Sequence, residues 1–327
     1  MRRSVCGSSP GVSLSSRENS AEIFEERQFG METAEKVYYV GKNREYTSLS
    51  GLCLQLKDDT EQKTVYLDEG VYDIYREYRQ LGVETPPDDI SNSDYLTRVI
   101  FLPPRTRLVG VGDVALLWDP PKDEITVGEA RVWAPLNIRY GCCVENISIR
   151  CRYGRYCIHD DSHNAPEDQG TDHIYRNVRC FYTYSEDKKG FNNTIGFGFP
   201  QKSRIIFENC EFRMLDVPED GRCSAFYGHA ASGRTLTEEE GPEILVENCT
   251  IDGGRDNYRC AKLQCLNRVP LHVKTVFRNT VITGGLYLNL YTEDALHAFD
   301  VLLENCGNPP VTADRAESNP YPVRIRA

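Results

Sequence analysis

The sequence predicts an all-β solenoid of parallel strands with a capping helix at its N-terminal end. Three observations predict it. A short element built on an apolar residue, then Glu or Arg, then Asn, recurs six times; a second series of short strands follows most copies; and an amphipathic helical pattern precedes both. Fixed-period repetition of strand-length units is the signature of a chain that stacks its repeats and buries a continuous core.

In chain order, residues 1–36 read as a disordered leader. Met1 to Arg27 is rich in Ser, Arg and Glu and lacks the apolar block of a secretory signal, with Met31 an alternative start. Tyr38 to Val40 is strand-like. Thr47-Ser48 can cap a helix whose Leu49, Leu52, Cys53 and Leu56 fall at i, i+3, i+4 and i+7. Such a helix covers the open end of a solenoid, where unpaired strand edges invite aggregation. The runs at 65–74 and 99–119 read as strands punctuated by Gly and Pro. Gly110 and Gly112 read as bends, since no helical pattern follows them to form a phosphate cradle.

The repeats are VENISI at 144–149, YRNVRCF at 175–181, FENCEF at 207–212, VENCTI at 246–251, FRNTVI at 277–282 and LENCG at 303–307. Their Asn residues, Asn146, Asn177, Asn209, Asn248, Asn279 and Asn305, are 31, 32, 39, 31 and 26 positions apart. Each copy alternates apolar and polar residues for a few positions, the period of a strand. The second series runs through Tyr156–His159, Ile195–Gly198, Phe226–His229, Ala261–Gln264 and Leu286–Asn289. The repeated Asn is then a structural residue, stacked at one corner with each amide donating to the next.

Composition sets the boundaries of function. With 38 Lys and Arg against 49 Asp and Glu, net −11, the chain lacks the cation surplus that gripping nucleic acid or an anionic membrane requires. No apolar run reaches the ~18 residues of a membrane-spanning helix. Thirteen cysteines, an odd number with no CxxC pair, suggest neither a disulfide framework nor a zinc ribbon. They read as buried thiols of a chain made in the cytoplasm, with a virion or extracellular destination open.

The motifs VGKNREYTSLSGLCLQL, VYLDEGVYDI and TRLVGVGD, followed by the ENC-type repeats, resemble right-handed parallel β-helix proteins of the pectin-lyase-like superfamily, over residues 37–310. In texture they resemble most the members from gut bacteria and phage tailspikes. The resemblance implies one right-handed β-helix domain at 37–310 and a tail at 311–327. It also implies a polysaccharide as partner, since the superfamily includes lyases, polygalacturonases, pectin esterases, depolymerases and non-catalytic adhesins. The complete polygalacturonase, pectin-esterase and pectate-lyase motifs are absent, although Asp160-Asp161 and the YGHA at 227–230 echo parts of the first.

Alternation along the second strand series predicts a polar column. If Ile158, Phe197, Leu263 and Leu288 point inward, then His159, Gly198, Gln264 and Asn289 point outward, with His229 on or beside the same strip and the glycines leaving room for a ligand. The densest polar cluster is His159-Asp160-Asp161-Ser162-His163 with Asp168, Asp172 and His173, and it holds three of the six His residues. Asp160, Asp161, His159 and His229 are the candidate acid, base and positioning groups for cleaving a glycosidic bond or for removing a proton beside a uronate carboxylate. The same carboxylates are candidate Ca²⁺ ligands, although no cofactor is required. HDDSHN also suits turn capping by its own side chains.

Gln264, Asn289, Lys262, Tyr184 and Tyr227 are candidate substrate-binding residues, with Lys188, Lys189, Arg255, Arg259 and Arg268 as nearby cations and Tyr182 and Tyr287 as further flat faces. Two functions remain: a polysaccharide lyase or hydrolase acting in this groove, and a non-catalytic phage or prophage tail module that binds glycan as a homotrimer. Fold alone does not choose between them. The longest interval between repeats, around 213–243, is a candidate lid.

Overall fold

The computed structural model describes residues 35–89, 98–160, 170–186, 191–199, 203–229, 242–255, 259–264, 271–289, 297–314 and 323–326. Residues 1–34 of the proposed leader, Asp161, His163, Asp168, Lys188, Lys189, Arg268 and residues 230–241 of the candidate lid lie outside them.

The chain enters as β1 (Lys36–Val40) and α1 (Leu49–Gln55), then winds a first coil through β2 (Lys63–Leu67), β3 (Gly70–Asp73), α2 (Ile74–Gln80) and β4 (Phe101–Leu102). The second coil is β5 (Thr106–Gly110), β6 (Val114–Trp118), α3 (Val127–Val132) and β7 (Leu136–Ile138). The coils that follow carry three strands each. They are β8 (Cys143–Glu145), β9 (Ser148–Cys151) and β10 (Ile158–Asp160); β11 (His173–Arg176), β12 (Arg179–Thr183) and β13 (Asn193–Gly198); β14 (Arg204–Glu208), β15 (Glu211–Leu215) and β16 (Ser224–His229). Then come β17 (Glu243–Glu247), β18 (Thr250–Asp252) and β19 (Ala261–Gln264), and β20 (Leu271–Arg278), β21 (Val281–Thr283) and β22 (Leu286–Asn289). The path ends with β23 (His297–Glu304), β24 (Val311–Asp314) and β25 (Arg324–Arg326).

Strands from successive coils pair in parallel to form three sheets. Sheet A runs β1-β2-β5-β8-β11-β14-β17-β20-β23-β25, sheet B runs β3-β6-β9-β12-β15-β18-β21, and sheet C runs β4-β7-β10-β13-β16-β19-β22-β24. Parallel strands joined by crossovers wind with one hand, and the molecule is a right-handed parallel β-helix. The second strand series of the sequence is the heart of sheet C. Pairing continues beyond residue 310, where β24 extends sheet C and β25 extends sheet A, so the segment read as a tail still contributes strands.

The six repeated Asn residues stand at the corner where the chain leaves sheet A, which for the first five leads into sheet B, all in the left-handed conformation, with φ between 48° and 57°. Asn tolerates that conformation better than most residues because its short polar side chain bonds locally. Its amide also closes the stack: Asn177 Nδ2 donates to Asn146 Oδ1 at 2.9 Å, Asn279 to Asn248 at 3.2 Å and Asn305 to Asn279 at 3.0 Å. The preceding Glu or Arg faces out from sheet A, and the two types interlock. Arg176 lies 3.7 Å from Glu145 and 2.6 Å from Glu208, while Arg278 lies 3.3 Å from Glu247 and 2.7 Å from Glu304.

The residue following each Asn turns inward, and here the cysteines have a structural use. The thiols of Cys210, Cys249 and Cys306 donate to the carbonyls of Tyr175, Phe207 and Phe277 in the preceding coil at 3.4, 3.5 and 3.2 Å, and Thr280 Oγ1 bonds Val246 in the same way at 3.1 Å. These contacts satisfy corner carbonyls that the bend would otherwise leave bare. All eleven described cysteines are free thiols. Inside, Tyr175, Phe207, Phe226 and Phe197 pack ring against ring at centroid distances of 4.9 to 5.5 Å.

Helix α1 forms as expected. Ser48 accepts a hydrogen bond from Gly51 N, and Leu49, Leu52 and Cys53 are buried in the core. Helices α2 and α3 are absent from the sequence reading. In the first two coils they stand where later coils pass from sheet B to sheet C, and α3 starts with a capping box between Thr126 and Glu129.

The corner geometry yields a ranking of substitutions. Asn279→Ala combines left-handed strain with loss of both amide bonds and should cost about 1 to 3 kcal/mol. Asn279→Gly keeps the backbone conformation and should cost less. Urea midpoints of the two variants measure this directly.

Candidate functional site

Strand pairing places the outward side chains of sheet C in two rows. The first is Asn137, His159, Gly196, Tyr227, Lys262, Tyr287 and Thr312; the second is Gly198, His229, Gln264, Asn289 and Asp314. His159 therefore sits one row away from the Gly198, Gln264 and Asn289 with which the sequence reading aligned it. Ile158 pairs with Ile195, not with Phe197.

Asp160 does not join either row. It alternates to the inside of the coil, 2 % exposed, where Tyr175 donates its hydroxyl proton at 2.6 Å and His173 Nδ1 lies at 2.9 Å from the carboxylate. Burial and the Asp160 charge push the Tyr175 phenol well up. A general acid must reach the group it protonates, and this carboxylate instead ties sheet C to sheet A through the core. His159 is also sealed, 0 % exposed, with Arg155 Nε donating to its Nε2 at 3.2 Å and Asn137 Oδ1 3.3 Å from its Nδ1. Tyr182 is a core residue whose hydroxyl donates to Gly154 O at 2.7 Å. Tyr184 follows β12 of sheet B, half-buried against the core, and is not on the outer rows of sheet C.

The glycines make room for rings of the protein itself. A Cβ at Gly196 would come within 2.5 Å of the Tyr156 ring, and one at Gly228 within 2.7 Å of Phe197. Glycine at these two positions lets aromatic rings lie against the sheet.

What the rows do assemble is a compact group around Lys262. Its ammonium lies 4.9 Å from the centre of the Tyr227 ring, and the Tyr227 hydroxyl donates to Gln264 Oε1 at 3.0 Å. The Tyr227 and His229 rings are 4.9 Å apart. One coil on, the Arg259 guanidinium lies 4.9 Å from the Tyr287 ring, and the Tyr287 hydroxyl donates to Asp314. Burial, followed by the Arg259 charge, lowers Lys262 to about 8, with Asp314 pulling the other way. Asn289, 9 % exposed, has a buried side-chain oxygen with no hydrogen-bond partner among the described residues. Such an oxygen is costly unless something else bonds it.

Lys262, Tyr227, Gln264, Asn289 and His229 are thus brought together as expected, with Tyr287 and Arg259 beside them. Asp314 was missed because it falls in the segment read as a tail. Among the described residues no group of three or more His, Cys, Asp or Glu could hold a metal ion. A cleft of about 300 Å³ runs along the Asn corner past Asp113, Asn146, Asn177, Arg179 and Asn209, where Asn177 already donates to Asn146 within the stack.

No protein-family model and no curated protein matches this chain. Among solved structures it is similar to a pectin methylesterase from Aspergillus niger, with 13 % identity, 90 % of each chain covered and a TM-score of 0.42. It is also similar to the pectin methylesterase PemA from Erwinia chrysanthemi, at 11 % identity over 86 % of this chain and 93 % of that one, TM-score 0.33. A third is a pectin methylesterase in complex with a hexasaccharide, at 10 % identity over 88 % and 95 %, TM-score 0.33. The fold assignment rests on the strand pairing itself.

The position of Asp160 makes a stability prediction. Asp160→Ala leaves His173 and Tyr175 without their buried acceptor and should cost about 3 to 5 kcal/mol, read as a large drop in denaturation midpoint.

Proposed function

We propose that this protein binds a polysaccharide along the outer face of sheet C, centred on Lys262. The observation that carries the reading is the convergence of two cations, two phenols and two amides on adjacent coils, with the Asn289 oxygen still lacking a bond among the described residues. Hydroxyl-rich ligands need many donors and acceptors of modest strength, and sugar rings present C–H faces that pack on flat aromatic surfaces. Lys262 and Arg259 favour a chain carrying carboxylates, which both side chains can pair. On the outer side of sheet A, Arg176 and Arg278 are already engaged by glutamates on either side.

A second reading has its own observation. Lys262, lowered to about 8, has an appreciable neutral fraction near neutral pH and can then accept a proton, the step that begins elimination beside a uronate carboxylate. The receptor-binding alternative yields no product and is associated with a homotrimer. Incubation with a panel of plant and bacterial acidic polysaccharides, followed for unsaturated uronates and new reducing ends, together with the mass in solution, separates these outcomes.

The binding reading fixes a pH dependence. Lys262 is cationic below its pKa, so affinity for an acidic oligosaccharide should be highest at pH 6 to 7 and fall about tenfold as pH rises through about 8. Lys262→Met should bind weakly throughout and lose that dependence. Isothermal titration at several pH values tests both; a wild-type affinity independent of pH contradicts the role of Lys262.

A further inference from the structure

Two aromatic side chains among the described residues are exposed, Tyr39 at 46 % and Phe191 at 41 %. Tyr39 lies on the edge strand β1 of sheet A, stacked on Tyr66. Phe191 lies two residues before β13, on the approach to sheet C.

Phe191 is exposed and also firmly placed. The next residue, Asn192, is 7 % exposed and left-handed at φ 51°; its side chain accepts from Ser185 N at 2.9 Å and donates to Ser185 O at 3.0 Å, pinning together the two ends of the intervening loop. Behind the ring stands Arg155, its guanidinium 4.8 Å from the centre of Phe191 and 5.5 Å from that of Tyr156. Arg155 is itself 7 % exposed and is held by Arg131 O at 2.9 Å and by His159. The guanidinium thus backs a phenyl ring that stays exposed, although burying that ring would by itself stabilise the fold.

The ring is continuous with the face described above. Phe191 lies 5.7 Å from Tyr156, and Tyr156, packed over Gly196, lies 6.5 Å from Tyr227, over whose ring the Lys262 ammonium stands. We propose that Phe191, backed by Arg155 and Tyr156, is a stacking platform for a sugar ring, a distal subsite that extends the binding face from Tyr227 toward the N-terminal coils. The proposal rests on the reading that sheet C binds a polysaccharide, and it adds that the bound chain lies along the coil axis and must be long enough to reach past Tyr227.

The test is affinity as a function of chain length, using a homologous series of oligogalacturonates of two to eight units, with wild type, Phe191→Ala and Phe191→Trp. In wild type, affinity should step up once the oligomer spans from Lys262 to Phe191. Phe191→Ala should match wild type for the short oligomers and bind the long ones about tenfold more weakly, with its melting temperature little changed, while Phe191→Trp keeps the step. Equal affinity of Phe191→Ala and wild type at every length overturns the subsite and leaves the sheet C reading standing. A uniform loss at all lengths accompanied by a lower melting temperature overturns it too, by making the ring structural. Absence of binding by wild type at any length overturns both.

Discussion

One residue held in the left-handed conformation at the same corner of each coil is the constraint on which the rest depends. Asn146, Asn177, Asn209, Asn248 and Asn279 turn the chain sharply from sheet A into sheet B, Asn305 turns it out of β23 of sheet A in the same conformation, and the backbone bond from each Asn N–H to the next coil keeps the corners in line. Once the corners align, strand pairing has no freedom to slip, and alternation decides which side chains face the core and which face solvent. The inward thiols at this corner and the outward Arg–Glu pairs follow from the same register.

That register divides the surface by use. The charges beside the corner on sheet A largely neutralise one another across successive coils, a pattern that contributes little energy per pair but leaves little charge to spare for a ligand. On sheet C, by contrast, Lys262 and Arg259 stand over phenol rings, and Asp314, the carboxylate that acts on Lys262, is bonded by Tyr287. The cost of that arrangement is visible in the lowered pKa of Lys262. A partly desolvated cation with a shifted pKa, set on an outward strand face beside aromatic and amide side chains, marks a surface on which a binding function is sought.

Much of the architecture was legible because it repeats. The Asn spacing gave away the coils, and the strands from Ile195 to Asn289 could be read from alternation alone. Single events were harder. Ile158 was aligned with Phe197 because both precede a polar outward residue, yet β10 has three residues where β13 has six, and only pairing shows that Ile158 meets Ile195. Asp160 looked catalytic from its neighbours in sequence; its inward direction and its partners His173 and Tyr175 come from a different sheet, a relation no local pattern encodes. The helices α2 and α3 interrupt only two coils, so no repetition announces them, although the Thr126 to Glu129 spacing is a readable cap. Phe191 carried no signal at all, because its setting comes from the Asn192 bond to Ser185 and from Arg155 of an earlier coil, contacts that no local pattern encodes.

The central claim is that the face around Lys262 is where a polysaccharide binds. Amine-reactive footprinting in the presence and absence of an acidic oligosaccharide tests it most directly, with Lys274 on the outer side of sheet A, its side chain 45 % exposed, as the internal control. The account predicts that Lys262 is labelled in the free protein and protected by ligand while Lys274 is labelled equally in both. Unchanged labelling of Lys262 under conditions where binding is measured, or protection of Lys274 in its place, would contradict it.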